Sequence, residues 1–202
     1  KLTISMKIKE TLLLLIVVIW AVAVGIGMVW IMDYTARPGR SAISPFELKD
    51  KNLISPQTNS PKLLIFLHPH CPCGRATLAE LARLTARNDN LDVIVFFYLP
   101  SDQPQEWVES HIWHQAQSIS NIKVKIIGDT EIKQFGAITS GQTLLYDTRR
   151  KLIFSGGITP GRGHEGGNAG IETIEKYLRS GKPDFTETPV YGCILSTSEE
   201  SF

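Results

Sequence analysis

The sequence predicts a three-layer α/β domain with a mixed central sheet, preceded by one transmembrane helix. Through the middle of the chain, patterns of buried strands alternate with patterns of amphipathic helices, and a hairpin and a closing helix follow them. Strands joined through helices run parallel, whereas a hairpin adds an antiparallel pair, so the sheet is expected to be mixed. A long uncharged segment near the beginning of the sequence predicts the transmembrane helix.

The uncharged segment spans residues 11–32 and consists largely of Leu, Ile, Val and Ala. A helix that rises about 1.5 Å per residue crosses a hydrocarbon core of about 30 Å with a segment of this length. Residues 11–32 are therefore predicted to be a membrane anchor, with residues 1–10 in the cytoplasm. A cleaved signal peptide is the alternative, although its apolar region is usually only about 7–15 residues long.

Basic residues lie on both sides of the predicted anchor. Lys1, Lys7 and Lys9 precede it, and Arg37 and Arg40 follow it. The positive-inside rule favours a cytoplasmic N-terminus by a small margin. The sequence thus predicts a single-pass membrane protein whose folded domain lies on the extracytoplasmic, or periplasmic, side, where disulfide chemistry is common.

The remaining chain is divided by composition into a linker, a domain and a tail. Residues 33–60 are rich in Pro, Ser, Asn and Lys and are predicted to be a linker with a short ordered piece at 46–48. Residues 61–181 are assigned to the domain, and residues 182–202 to a tail that carries Cys193. A net charge of +1 and an apolar fraction of 43% indicate a folded protein that does not bind nucleic acid.

Within the domain, continuous apolar runs predict buried strands and apolar residues at helical spacing predict helices. The polar residues 147–150 separate two short apolar runs and predict a hairpin turn. The predicted strands are 62–68, 91–99, 122–127, 143–146 and 152–154, and the predicted helices are 75–87, 104–117, 131–135 and 169–179.

Cys71 and Cys73 lie between the first buried strand and the first helix of the domain. Backbone N–H groups and the dipole at a helix N-terminus favour a thiolate and lower the pKa of a cysteine there. Pro72 is predicted to occupy the first helical position. The pattern predicts a redox-active pair in which Cys71 is the nucleophile. Cys193 is expected to resolve a disulfide with one of them, to complete a metal site, or to be a buried structural cysteine.

This arrangement resembles the thioredoxin superfamily. Residues 66–71 are similar to the approach to the attacking cysteine of that family, and the order of elements over 62–179 matches its fold. More narrowly, the segments 70–73, 135–147 and 154–164 resemble membrane-anchored thioredoxin-like proteins of the RedB type. The resemblance implies exchange with protein thiols or disulfides.

Two features depart from the superfamily pattern. Cys71-x-Cys73 is one residue shorter than the usual motif, and a disulfide across one residue is strained and easily reduced. The cis-proline position of the superfamily corresponds to Gln142, and cis peptide bonds are essentially restricted to proline. Residues 140–142 are therefore expected to form a different loop, with different docking of substrates.

The expected fold also brings distant residues towards Cys71. The hairpin returns residues 156–164 to that end of the sheet, which makes Arg162 a candidate anion clamp and His164 a candidate proton shuttle. A flexible glycine-rich loop that exposes polar side chains is the alternative. His70, when protonated, is expected to stabilise the thiolate of Cys71.

A metal site is the main alternative to a redox pair. Thiolate and imidazole groups suit Cu or Zn, and the thioredoxin-like copper-delivery proteins called Sco use this fold in that way. Both histidines near the cysteines can face them only if the turn at Pro69 bends the chain, because neighbouring residues of a strand point to opposite faces. The alternative metal ligands are His68, His70, Cys71 and Cys73, with Cys193 or His164 added.

Two further functions were compared with these. A peroxidase is disfavoured because the residues before Cys71 lack the Pro-x-x-x-Thr-x-x-Cys pattern of peroxiredoxins. A binding module without catalysis would lose little when Cys71 is replaced by serine. The leading prediction is a membrane-anchored thiol–disulfide oxidoreductase that needs no cofactor, and the alternative is a copper- or zinc-binding protein.

Overall fold

The computed structural model describes residues 2–40, 43–48 and 59–195. The chain divides into two compact units, Lys1–Arg37 and Pro38–Phe202. The first unit is the helix α1, Leu2–Ala36. The most apolar stretch of its segment Lys9–Ala36 has a mean hydropathy of 3.0, and none of that stretch is buried within the protein. The helix is long and apolar enough to cross a membrane, and a signal sequence near an N-terminus can meet the same criterion.

The second unit is built around a five-stranded sheet with the strand order β3-β2-β1-β4-β5. The first three strands in sequence pair in parallel, and β4 pairs antiparallel with both β1 and β5. The strands are β1 (Lys62–Leu67), β2 (Asp92–Tyr98), β3 (Ile122–Ile127), β4 (Gln142–Tyr146) and β5 (Leu152–Gly156), and the helices are α2 (Gly74–Thr85), α3 (His111–Gln117), α4 (Asp129–Phe135) and α5 (Ala169–Ser180).

The central strand β1 is buried along its whole length because both faces of the sheet are covered. Leu63, Ile65 and Leu67 contribute to an apolar cluster with residues of α2, α3 and α5. Leu64 and Phe66 contribute to a second cluster with residues of α4. The result is a three-layer thioredoxin-like fold with a mixed sheet, which confirms the predicted fold class.

One predicted helix consists of two separate pieces. Instead of a helix over 104–117, a short 3₁₀ turn, Gln105–Val108, is followed by α3. Ser110 interrupts the pattern because its hydroxyl accepts a hydrogen bond from the N–H of Trp113 at 3.3 Å and caps the new helix. The apolar residues of the 3₁₀ turn and of α3 follow one helical spacing, so the sequence of the two pieces resembles that of one longer helix.

The described part of the segment interpreted as a linker makes contacts with the domain. The Gly39 N–H donates to the carbonyl of Val190 at 2.7 Å, and the Tyr146 hydroxyl donates to the carbonyl of Pro45 at 3.0 Å. Leu48 is buried in the cluster on the α4 side of the sheet, so the ordered piece expected at 46–48 contributes to the core. Residues 49–58 of the segment lie outside the described residues.

Candidate active site

Three cysteines meet at the end of the sheet where β1 stops. Cys71 is fully buried, Cys73 and Cys193 are half-buried, and all three thiols are free. The N–H of Cys193 donates to Sγ of Cys71 at 3.3 Å. The thiols of Cys73 and Cys193 also hydrogen-bond to Cys71. The sulfur of Cys71 is therefore surrounded by donors from both other cysteines.

The local turn explains why Cys71 and Cys73 are held together. The Cys71 N–H donates to the carbonyl of His68, and the Gly74 N–H donates to the carbonyl of Cys71, both at 3.0 Å. Cys73 is the N-cap residue of α2 and has helical dihedral angles, φ −66° and ψ −24°. Pro72 therefore lies in the turn before the helix and not at the first helical position, because the chain makes this tight turn before α2 begins.

The hydrogen bonds give the three cysteines different roles: Cys71 accepts them as a thiolate, and Cys73 and Cys193 donate them as thiols. The pKa of Cys71 falls to about 4, chiefly because the thiol of Cys73 donates to it, with help from the thiol and the N–H of Cys193, while burial opposes the shift. Donation to Cys71 and burial raise the pKa of Cys73 strongly. Burial, followed by donation to Cys71, raises the pKa of Cys193 to about 12. At neutral pH the negative charge resides on Cys71.

The two histidines before Cys71 have different surroundings. Burial lowers the pKa of His68, against the opposing effect of the charge on Cys71, and its Nδ1 accepts the N–H of His70 at 3.1 Å. A neutral imidazole suits that hydrogen bond, because protonation of Nδ1 would remove the acceptor. The exposed ring of His70 instead contacts Trp107, with Nε2 2.9 Å from its carbonyl oxygen and a ring-centroid distance of 4.5 Å. The largest effects that lower the pKa of Cys71 come from hydrogen bonds of the other two cysteines, and the role expected of His70 stays a prediction.

The structure places Arg162 beside Cys193, and His164 contacts the backbone of Arg162. Nη1 of Arg162 donates to the carbonyl of Gly192 at 2.5 Å, next to Cys193. The pKa values of Cys73 and Cys193 are raised overall, but the guanidinium charge of Arg162 opposes part of each rise. Arg162 therefore lies within electrostatic range of both cysteines. The His164 side chain is exposed, and its described contact joins Nδ1 to the carbonyl oxygen of Arg162 at 2.8 Å.

Gln142 contacts β5 and not the cysteines. Its Nε2 donates to the hydroxyl of Ser155 at 2.9 Å, and its buried Oε1 has no hydrogen-bond partner among the described residues. All peptide bonds of the described residues are trans, and Gly141 has a left-handed φ of 96°, a conformation that suits glycine. Residues 140–142 thus form a trans loop, which the Gly141 N–H attaches to the carbonyl of Phe66 at 2.7 Å.

Ser140 is a site residue that the sequence analysis did not identify. Its hydroxyl accepts the N–H of His68 at 3.0 Å, and its own N–H donates to the carbonyl of Cys193 at 2.8 Å. Ser140 therefore connects the segment before Cys71 to the segment that carries Cys193. In the sequence, only the position of Ser140 before the fourth strand could have indicated its role, because the topology brings the start of that strand beside the end of β1.

Metal binding has less geometric support than thiol chemistry. Within 2–40, 43–48 and 59–195, no three His, Cys, Asp or Glu side chains are arranged to hold a metal ion. The ring of His70, one of the alternative ligands, contacts Trp107, and His70 borders the same cavity as Cys71. The alternative of a metal site stays a prediction.

A surface cavity of about 320 Å³ borders Cys71 on the side of α3. Apolar side chains of Pro72 and Ile112 contribute to its lining, together with the basic side chains of Arg75 and His111. The cavity borders Cys71, whose own side chain has no exposed surface.

We expect the alkylation of Cys71 by iodoacetamide to depend on pH with a midpoint near 4. The rate follows the thiolate fraction, so it should rise with pH through about 4 and reach a plateau above pH 5. Peptide mass spectrometry of the full chain in detergent micelles measures the labelling of each cysteine. Cys73→Ala removes the main donor and should move the midpoint towards the ordinary value, whereas Cys73→Ser keeps a donor and should move it less. A midpoint near 8.5 in the unchanged protein would contradict the assignment of the thiolate.

No family model matches the chain, and no curated protein matches its sequence. Among solved structures, the chain is similar to an uncharacterised conserved protein from Geobacillus kaustophilus, with a TM-score of 0.56, 18% identity, and coverage of 82% of this chain and 95% of that one. It is also similar to a hypothetical protein from Sinorhizobium meliloti 1021, with a TM-score of 0.57, 18% identity, and coverage of 81% and 96%. At this identity both matches show a shared fold alone.

Proposed function

We propose that this protein is a membrane-anchored thiol–disulfide oxidoreductase in which Cys71 is the attacking cysteine. The observation that carries the proposal is the meeting of three free cysteines at the end of β1, where the Cys193 N–H donates to Sγ of the buried Cys71 at 3.3 Å. Hydrogen bonds from the other two cysteines lower the pKa of Cys71 to about 4. The thiolate is the reactive form of cysteine, and the low pKa keeps Cys71 in this form at any physiological pH.

The proposed reaction begins with attack by the Cys71 thiolate on a partner disulfide. A bond forms between Cys71 and one partner sulfur, the partner disulfide breaks, and the second partner sulfur leaves as a thiolate. A second cysteine of the site then loses its proton and attacks Cys71, which releases the partner's first sulfur. The partner gains two electrons, and the site becomes a disulfide that a dithiol reductant must reduce again.

The same steps in reverse transfer a disulfide to a partner dithiol. Stabilising the Cys71 thiolate stabilises the reduced site and therefore makes its disulfide a stronger oxidant. The low pKa of Cys71 thus favours the reverse direction. The substrate class in either direction is a protein thiol or disulfide.

Anchoring and location are part of the same proposal. We place α1 across a membrane with its N-terminus inside and the domain on the extracytoplasmic side. The length and apolar character of the helix support the anchor, and the distribution of basic residues around it supports the orientation. A free, reactive cysteine cluster is also suited to a compartment in which partner proteins carry disulfides.

A trapping experiment tests the identity of the nucleophile. Serine at both other positions keeps hydroxyl donors but prevents resolution, so Cys73→Ser with Cys193→Ser should accumulate a mixed disulfide on Cys71 when glutathione disulfide is added. The full chain is used in detergent micelles, and the adduct is located by peptide mass spectrometry. A protein that forms no adduct at Cys71 while glutathione disulfide is in excess would refute the proposal. The single variant Cys71→Ser is the control and should form far less adduct at its remaining cysteines.

A further inference from the structure

The C-terminal segment of the described chain, residues 186–195, runs across the candidate active site, and we refer to it as the strap. Thr139 and Ile194 form an antiparallel bridge. Next to this bridge, the Ser140 N–H donates to the carbonyl of Cys193 and the Leu195 N–H donates to the carbonyl of Ile138, both at 2.8 Å. The strap is thus hydrogen-bonded to residues 138–140 through its backbone, as a short extra strand would be.

Glycines on both sides of the contact allow a close approach of the strap. A Cβ added to Gly192 would lie 1.9 Å from the carbonyl oxygen of Ser140. A Cβ added to Gly157 would lie 2.5 Å from the carbonyl oxygen of Pro189, and one on Gly156 would lie 2.2 Å from Oγ1 of Thr188. These distances are far below contact range for a real side chain, so the strap position depends on glycine at each place.

The strap also covers the proposed nucleophile. Cys71 has no exposed surface, and the N–H of Cys193 is one of the groups that contact its sulfur. Arg162 holds the neighbouring carbonyl of Gly192, and the side chain of Leu195 is buried on the far side of Cys193. With the strap in place, Cys193 is the non-local cysteine that reaches Cys71.

We propose that Cys193 is the resolving cysteine of the site and that the strap must lift from residues 138–140 for a partner sulfur to reach Cys71. The proposal rests on the proposed function. A disulfide between Cys71 and Cys73 would be strained because one residue separates them, and Cys73 is already fixed as the N-cap of α2. Cys193 lies on a separate segment, which can adjust to form a disulfide without changing that helix.

In the resolving step, Cys193 displaces the partner from Cys71. After a partner disulfide has reacted, Cys71 is bonded to one partner sulfur and no longer carries a negative charge. The Cys193 thiol then gives its proton to solvent, a loss that the nearby Arg162 charge favours, and its thiolate attacks Sγ of Cys71. A Cys71–Cys193 bond forms, the bond to the partner breaks, and the partner leaves as a thiolate. An added dithiol such as dithiothreitol supplies two electrons to reset the site.

Disulfide mapping of the full chain in micelles tests the identity of the resolving cysteine. The reduced protein is oxidised with glutathione disulfide and digested without reductant. We expect a Cys71–Cys193 disulfide in the unchanged protein and in Cys73→Ser. In Cys193→Ser we expect a glutathione adduct on Cys71 at a level at least about 10-fold higher than in the unchanged protein, because the resolving sulfur is missing.

The outcomes separate the two proposals. A Cys71–Cys73 disulfide in the unchanged protein, with no increase of the adduct in Cys193→Ser, would overturn the role of Cys193 and leave the nucleophile assignment standing. If no variant ever forms an adduct or a disulfide at Cys71, the proposed function itself fails.

Lifting of the strap is tested with Gly192→Ala, whose new methyl group would collide with the carbonyl of Ser140. We expect iodoacetamide to label Cys71 about 10-fold faster in this variant at pH 7, because exposure of the thiolate limits its reaction. Gly167→Ala is the matched control, since its Cβ would be 3.9 Å from the nearest atom. Near-UV circular dichroism checks the fold, and Arg162→Ala replaces Gly192→Ala if the latter does not fold. Unchanged labelling of Cys71 in a folded strap variant would overturn the proposal.

Discussion

Replacing Cys71 by serine is expected to lower the rate of disulfide exchange by about 10³-fold or more. The hydroxyl of serine stays protonated at neutral pH, so the variant lacks the cysteine that is proposed to attack. Burial still raises the pKa of Cys73 and Cys193, so neither readily supplies a thiolate in its place. The rate is measured with a self-quenched fluorescent peptide dimer, linked by a disulfide, and the full chain in detergent micelles.

Cys73→Ser and Arg149→Ala are the controls for this measurement. Serine at position 73 keeps a donor next to Cys71, so we expect a loss of no more than about 10-fold, which reflects a weaker hydrogen bond to the thiolate. Arg149 is exposed in the hairpin turn, and its substitution should leave the rate unchanged. Retention of the full rate by Cys71→Ser would instead favour a binding module without catalysis.

Replacing Phe66 by alanine is expected to reduce the free energy of unfolding of the domain by about 3–5 kcal/mol. The Phe66 side chain is fully buried near the end of β1. It stacks on Phe96 at a centroid distance of 5.4 Å and packs at a tilt against Phe135 at 5.2 Å. Alanine would leave a cavity between the sheet and α4. Urea unfolding of the full chain in micelles, followed by near-UV circular dichroism, measures the loss.

Two further substitutions calibrate that result. Phe66→Leu fills most of the space and should cost less than about 1.5 kcal/mol. Phe185→Ala removes a ring that is 55% exposed and should change the free energy of unfolding by less than about 0.5 kcal/mol. If Phe66→Ala reduced the free energy of unfolding as little as Phe185→Ala, the apolar cluster on the α4 side would not be a packed core.

The centre of the sheet was predictable because β1, β2 and β4 are buried on both faces. A strand with two covered faces is a continuous apolar run, and β1 and β2 have that pattern. The third strand, β3, was predicted with the bounds that the structure shows, 122–127. Helix ends were less predictable, because capping by a single hydroxyl, as at Ser110, divides a segment whose apolar spacing continues.

The site was predictable only where it follows from local sequence or strand topology. The Cys71 turn is local, and the antiparallel hairpin determines which end of the sheet Arg162 returns to. The direction of the His70 ring depends on a packing partner 37 residues away, Trp107, which local sequence does not reveal. The contact of Cys193 with Cys71 joins residues 122 apart, so no periodicity or spacing could specify it.

The central claim is that Cys71 belongs to a reversible disulfide, and a redox titration of the full chain tests it most directly. The protein in micelles is equilibrated, after metal removal, across a series of dithiothreitol ratios, and free thiols are counted by mass spectrometry after alkylation. We expect the number of free thiols to fall from three to one on mild oxidation and to return to three on reduction. The disulfide should always include Cys71. Three free thiols at every ratio, or a disulfide that leaves Cys71 free, would contradict it.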